Sequence, residues 1–223
     1  MFNKLRRVWR LDPSRRLQWL SFTYLRLKTA LLSKRRMRAC GHHSIVESLL
    51  FWTPEWITLG NGCHIWPGSR IEGISLYGKQ HFSPHIIIGD NVGIQQNCHI
   101  TAASVLVIGN NVNVLCGAVI TDIDHGYDEL NINFANQPIR VNETHIGDYC
   151  FIGAGAKILA GTKLGPNCIV GANAVVRGSF PPGTMLAGIP ARIIKRYDET
   201  SKSWRPNEIG IVNMTSPIEE KRF

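Results

Sequence analysis

Of the eight histidines in this 223-residue chain, one stands in a run of residues suited to proton transfer: Thr121-Asp122-Ile123-Asp124-His125-Gly126. An imidazole with an ordinary pKa near 6.5 can take a proton from an alcohol and pass it on to a leaving group. A carboxylate beside it can fix the ring's tautomer and stabilise the imidazolium as it forms. Asp122 and Asp124 both flank His125, and both also read as plain corner residues. His99 and His145 are the competing histidines, in positions that read as surface or interface sites. None of the six cysteines is in CxxC spacing, so the pattern predicts no metal site.

What must position these groups is set by a period of six. Ile146, Ile152, Ile158, Leu164, Val170 and Val176 recur without a break, and earlier runs are Leu59-Ile65-Ile71, Ile88-Ile94-Ile100 and Ile108-Val114-Ile120. A helix with 3.6 residues per turn would scatter such residues around its circumference. Short strands joined at tight corners keep them on the inside, and a fixed period of this kind marks a solenoid.

The slot four residues after most of these aliphatics is small or slim: Cys63, Val92, Cys98, Val112, Ala118, Cys150, Ala156, Thr162, Cys168 and Ala174. Four cysteines are thereby predicted to pack as compact apolar residues rather than to bridge or to bind zinc. The pairs Gly60-Asn61, Gly109-Asn110 and Gly147-Asp148 suit corners that need left-handed backbone. Two stretches break the rhythm, 72–87 and 123–145. The second is polar, follows Asp122 and carries His125, and a loop leaving a regular scaffold is where function concentrates.

The net charge of +9 is unevenly spread: residues 1–39 hold twelve Lys and Arg against one acid, Asp12. Residues 14–37 predict one helix, capped at Ser14 after Pro13, with Leu17, Leu20, Tyr24, Leu27 and Leu31 at helical spacing. Two readings coexist. The helix can cover the open end of the solenoid, or its cations with Trp9, Trp19 and Phe22 can attach to anionic lipid. No nucleic-acid module accompanies the charge. No apolar run approaches the 18 residues that span a bilayer, and arginines break the N-terminus where a secretory signal would be apolar. The expected location is the cytoplasm, with peripheral contact at the inner membrane through the basic helix as the alternative.

Over residues 57–197 the chain resembles the hexapeptide-repeat acetyltransferases, whose fold is a left-handed parallel β-helix. Ile120–Gly126 and Leu186-Ala187-Gly188-Ile189-Pro190-Ala191-Arg192, followed by Lys195-Arg196-Tyr197 and Trp204, are most similar to the O-acetyltransferases of bacterial lipopolysaccharide and capsule assembly. The resemblance implies that His125 is the general base that activates a sugar hydroxyl toward acetyl-CoA, with Asp122 orienting it. Many relatives have a second histidine where this chain has Ile123. The resemblance further implies a coenzyme arm along Gly153, Ala154 and Ala172, and its phosphates near Arg177, Arg192 and Lys195. It places the acceptor sugar near Gln95, Gln96 and Asn97, in a homotrimer with active sites between its prisms.

The expected organisation is thus a mainly β chain. Residues 1–56 form a basic helical segment and connector, 57–178 the β-helix with loop 123–145, and 179–223 a coenzyme-contacting segment and tail. The expected function is O-acetylation of a lipopolysaccharide, capsule or exopolysaccharide precursor, with acetyl-CoA as cosubstrate and no metal. Two other readings remain: N-acetylation of an amino sugar on a nucleotide, and a non-catalytic β-helix scaffold. His125 together with the Ala-Gly-Ile-Pro-Ala-Arg run argues against the scaffold.

Overall fold

The computed structural model describes residues 12–33 and 35–207. The hexads wind into a left-handed parallel β-helix, a three-sided prism whose sides are parallel sheets of two- to four-residue strands. Three ladders of stacked side chains fill it. The first runs Cys40, Leu59, Ile88, Ile108, Ile146, Leu164, Phe180. The second runs Val46, Ile65, Ile94, Val114, Ile152, Val170, Leu186, and the third Trp52, Ile71, Ile100, Ile120, Ile158, Val176. The predicted slim slots are all buried beside them, so branched and small side chains alternate to fill a narrow interior.

Corners close the coils. Between the first and second ladders the side chains form a hydrogen-bonded column: Asn61 N donates to Asp90 Oδ1 (2.7 Å), Asp90 N to Asn110 Oδ1 (2.8 Å) and Asn110 N to Asp148 Oδ1 (2.7 Å). Asn91, Asn111 and Asn167 turn the same corner with φ between 56° and 60°, a left-handed region that asparagine tolerates. Glycines stack where backbones meet, and a Cβ on Gly147 would come within 2.7 Å of the Gly165 carbonyl carbon.

The solenoid is longer than the sequence predicts at both ends. The expected connector before residue 57 is itself a coil, with Ala39–Cys40, Ile45–Val46 and Phe51–Trp52 pairing with the next turn. The repeats also do not stop at Gly178, because Ser179–Phe180 and Thr184–Gly188 extend two ladders. Pro181 and Pro182 lie between those strands, where their missing N–H groups cost no ladder bond. Thr184–Gly188 then turns into the antiparallel strands Ala191–Asp198 and Ser203–Pro206. Trp204 packs within this hairpin, with its ring 5.6 Å from that of Tyr197. The tail beyond 207, with Ile209 and Ile211, lies outside the described residues.

The N-terminal helix, α1 (Pro13–Lys28), is shorter than expected and continues as a single π turn, Thr29–Ser33. Its N-cap is Asp12 rather than Ser14, with Asp12 Oδ1 accepting from Arg15 N at 3.0 Å. Thr29 covers the open end of the second sheet by accepting from the edge-strand Val46 N at 2.8 Å. Trp9 precedes the described residues.

Candidate active site

Ile71, Ile120 and Val176 belong to one ladder, so the residues that follow them leave the prism at one corner. Three otherwise distant features converge there. The first, after Ile71, is the hairpin of Leu76–Tyr77 and Gln80–His81. The second, after Ile120, is an antiparallel ribbon of Ile123–His125 with Ile139–Val141 that forms the neck of the large loop. The third is Arg177.

His125 ends the first strand of the ribbon, opposite Ile139, with its ring exposed. Gly126 follows it because the chain passes close to its partner there: a Cβ would sit 2.4 Å from the Pro138 carbonyl oxygen, which accepts from Gly126 N at 3.0 Å. From the hairpin, Tyr77 Oη lies 3.3 Å from His125 Nδ1 and the two rings meet edge to face at 5.7 Å. Gln80 clamps the other strand of the neck, its amide donating to Ile139 O at 3.1 Å and accepting from Ile139 N at 2.7 Å. The loop is also tied internally by the buried Gln137 amide, which bonds Glu129 N, Glu129 O and Ile132 O. Hairpin and loop enclose a cleft of about 430 Å³ lined by Tyr77, Lys79, Gln80, Asn136, Gln137 and Pro138.

The two aspartates differ sharply. Asp122 is fully buried and points inward, its two oxygens accepting from Ala103 N and Ser104 N at 2.8 Å each. Burial pushes its carboxyl up, against the pull of those backbone N–H groups. The expectation that Asp122 orients His125 is thereby corrected: it holds together the coils beneath the loop. Asp124 makes a two-pronged ion pair with Arg177 (2.8 and 2.6 Å), and the hydrogen bonds from that guanidinium hold its carboxyl below the usual range. Arg177, expected at the coenzyme phosphates, is held by this pair beside the strand that ends in His125.

The other predicted residues gather on the corner between the second and third ladders. Gly153 packs directly on Ala172, since a Cβ on the glycine would lie 2.6 Å from Ala172 N, and Ala154 O accepts from Asn173 N at 2.9 Å. Arg192 pairs with Ala187 at the end of this corner, and Lys195 follows on the same strand opposite Met185; both are exposed. Small Ala154 and exposed Ala172 leave this edge open to an extended chain, with two cations at its end, which fits a coenzyme. Gln95, Gln96 and Asn97 lie on the same corner nearer the N-terminus. Gln95 Oε1 accepts from Cys116 N at 3.2 Å and Asn97 takes φ 59°, which makes both corner-forming residues, while Gln96 is exposed. His99 lies in register with Arg70 and Val119, and His145 pairs with Glu143 at 3.3 Å. Among the described residues no three His, Cys, Asp or Glu side chains gather as metal ligands.

Residues 143–178 match the family model of the bacterial transferase hexapeptide (six repeats). Those residues carry the bacterial transferase hexapeptide repeat. It is 34% identical over 126 residues to an Escherichia coli (strain K12) protein named for O-acetyl transfer in lipopolysaccharide biosynthesis, covering 53% of this chain and 64% of that one. It is 26% identical over 196 residues to a Mycobacterium tuberculosis (strain ATCC 25618 / H37Rv) protein named as an acetyltransferase, covering 84% and 63%. This hexapeptide-repeat chain thus spans less than two thirds of the length of either relative. In fold it is similar to AntD, an N-acyltransferase from Bacillus cereus solved with dTDP and 3-hydroxybutyryl-CoA, with a TM-score of 0.65 at 16% identity over 78% of this chain and 90% of that one.

Proposed function

We propose that this chain is an acetyl-CoA-dependent O-acetyltransferase acting on a sugar hydroxyl of a lipopolysaccharide, capsule or exopolysaccharide precursor. The observation that carries the reading is His125, exposed at the loop neck with one ring nitrogen against Tyr77, which itself lines the hairpin–loop cleft. The name of the Escherichia coli relative points to O-acetyl transfer in lipopolysaccharide biosynthesis, and that of the Mycobacterium tuberculosis relative to acetyl transfer.

In this reading His125 Nδ1 carries its hydrogen and donates to Tyr77 Oη, which leaves Nε2 to accept the proton of the sugar hydroxyl. The freed oxygen attacks the thioester carbonyl carbon, the carbon–sulfur bond breaks, and the imidazolium returns the proton to the departing thiolate. Holding both substrates together supplies much of the acceleration, without a covalent acyl-enzyme. Arg192 and Lys195 hold the coenzyme phosphates, and Gly153, Ala154 and Ala172 face its pantetheine arm. Asp124 and Arg177 fix the loop neck.

The assembly is a homotrimer. Gln96 lies on a different corner from His125, so an acceptor held by both needs a second copy of the chain. The loop also exposes Tyr127, Leu130, Ile132 and Phe134, an apolar set suited to a neighbouring prism. No described helix is long and apolar enough to cross a membrane, and we place the reaction in the cytoplasm, where the coenzyme is made.

The test is release of the coenzyme thiol from acetyl-CoA against a panel of lipid-linked glycans, nucleotide sugars and nucleotide-linked amino sugars. Turnover with hydroxyl acceptors is expected. Turnover confined to amino sugars would replace O- by N-acetylation, and no coenzyme binding by calorimetry would return the scaffold reading.

A further inference from the structure

The apolar stripe of α1 faces away from the solenoid. The helix rests on the prism through half-buried Phe22 and Leu25 and buried Thr29, with Phe22 edge-on to His64 at 5.7 Å. Leu17, Leu20, Tyr24, Leu27 and Leu31 are instead 52–68% exposed. At about 100° per residue the centre of that stripe lies roughly 160° around the axis from Phe22, Leu25 and Thr29. Five large apolar side chains aligned in solvent constitute an interaction surface, not scattered exposure.

The charge around the stripe selects the partner. Helical projection puts Arg16 on one edge of the stripe and Lys28 on the other, while Arg15 and Arg26 project from the opposite side of the helix. Arg35, Arg36 and Arg38 follow, and Asp12 is the one acid among residues 1–39. Lys4, Arg6, Arg7 and Arg10 precede the helix in sequence. Two copies of this helix brought face to face would oppose like charges, whereas an anionic bilayer offers an apolar interior beneath a negative surface.

We propose that α1 and the π turn that continues it lie in the plane of an anionic membrane, with Leu17, Leu20, Tyr24, Leu27 and Leu31 entering the headgroup–acyl boundary and the flanking Arg and Lys reaching the lipid phosphates. This attachment stands apart from the catalytic reading. It would hold the prism at the surface where lipid-anchored molecules are found.

The test is co-sedimentation of the full chain with vesicles of phosphatidylglycerol and phosphatidylcholine in equal parts, and with vesicles of phosphatidylcholine alone. Binding is expected to the anionic vesicles only. The double variant Leu20→Glu/Leu27→Glu, altered at exposed positions, should weaken it by about tenfold or more, while Ile189→Glu, at a still more exposed position near the C-terminal end of the prism, should bind as wild type. Unchanged binding by the double variant, or equal binding of wild type to both vesicles, would overturn the proposal. So would a change in oligomeric mass of the double variant with vesicle binding intact, which would make the stripe a contact between copies.

Discussion

Tyr77 Oη stands 3.3 Å from His125 Nδ1, joining two excursions whose contact residues are 48 positions apart in sequence. The contact matters because an imidazole can accept a proton at only one nitrogen while the other holds its hydrogen. A fixed partner at Nδ1 leaves Nε2 as the nitrogen able to accept a proton. In this site a phenol holds the place in which a carboxylate was expected, since Asp122 is turned into the coil stack.

Replacing Tyr77 by Phe keeps the ring contact and removes the hydroxyl. We expect kcat to fall about tenfold with little change in KM for acetyl-CoA, because ring orientation and not coenzyme binding is lost. The melting temperature should stay near that of wild type. A Tyr77→Phe enzyme with unaltered kcat would remove Tyr77 from the account.

Asp122→Ala separates structure from chemistry. Two backbone donors, the buried Ala103 N and the half-buried Ser104 N, would lose their acceptors, at a cost of about 2–4 kcal/mol in stability. The folded fraction should retain kcat within severalfold. Loss of kcat by orders of magnitude with an unchanged unfolding curve would restore Asp122 as the orienting carboxylate.

The Asp124–Arg177 pair carries a pH signature. Hydrogen bonds from Arg177 lower the Asp124 pKa in the folded state, so the pair's contribution is present above the unfolded value of about 3.9 and is lost as pH falls through the lower folded value. Both side chains are partly exposed, so the effect on stability should stay under about 1 kcal/mol. In a carboxyl carbon NMR titration the Asp124 midpoint should lie below the ordinary carboxylate range and return to it in Arg177→Gln. Identical midpoints in the two proteins would show that the pair is not formed in solution.

The prism was legible because its signal is local: Leu59, Ile65 and Ile71 already state which residue stands on which ladder. The outer coils were missed for physical reasons. Cys40, Val46 and Trp52 keep the spacing of six, but a thiol and an indole replace the branched aliphatics; at the other end Phe180 comes only four residues after Val176, and two prolines fill the corner that follows it. The site was half legible. His125 stood out by its neighbours, whereas Tyr77 and Arg177 are joined to it only through the stacking of coils. The information was nonetheless present, since Ile71, Ile120 and Val176 fall on one ladder and whatever follows each must emerge at the same corner. Which way Asp122 points depends on backbone donors in another coil, and no spacing reports that.

The central claim is that His125 is the general base of acetyl transfer, and the most direct measurement compares wild-type and His125→Ala proteins for coenzyme thiol release from acetyl-CoA with a competent sugar acceptor. The account predicts a fall in kcat of about 10²–10⁴-fold, with coenzyme affinity by calorimetry and oligomeric mass unchanged. Wild-type turnover by a correctly assembled His125→Ala protein would contradict it.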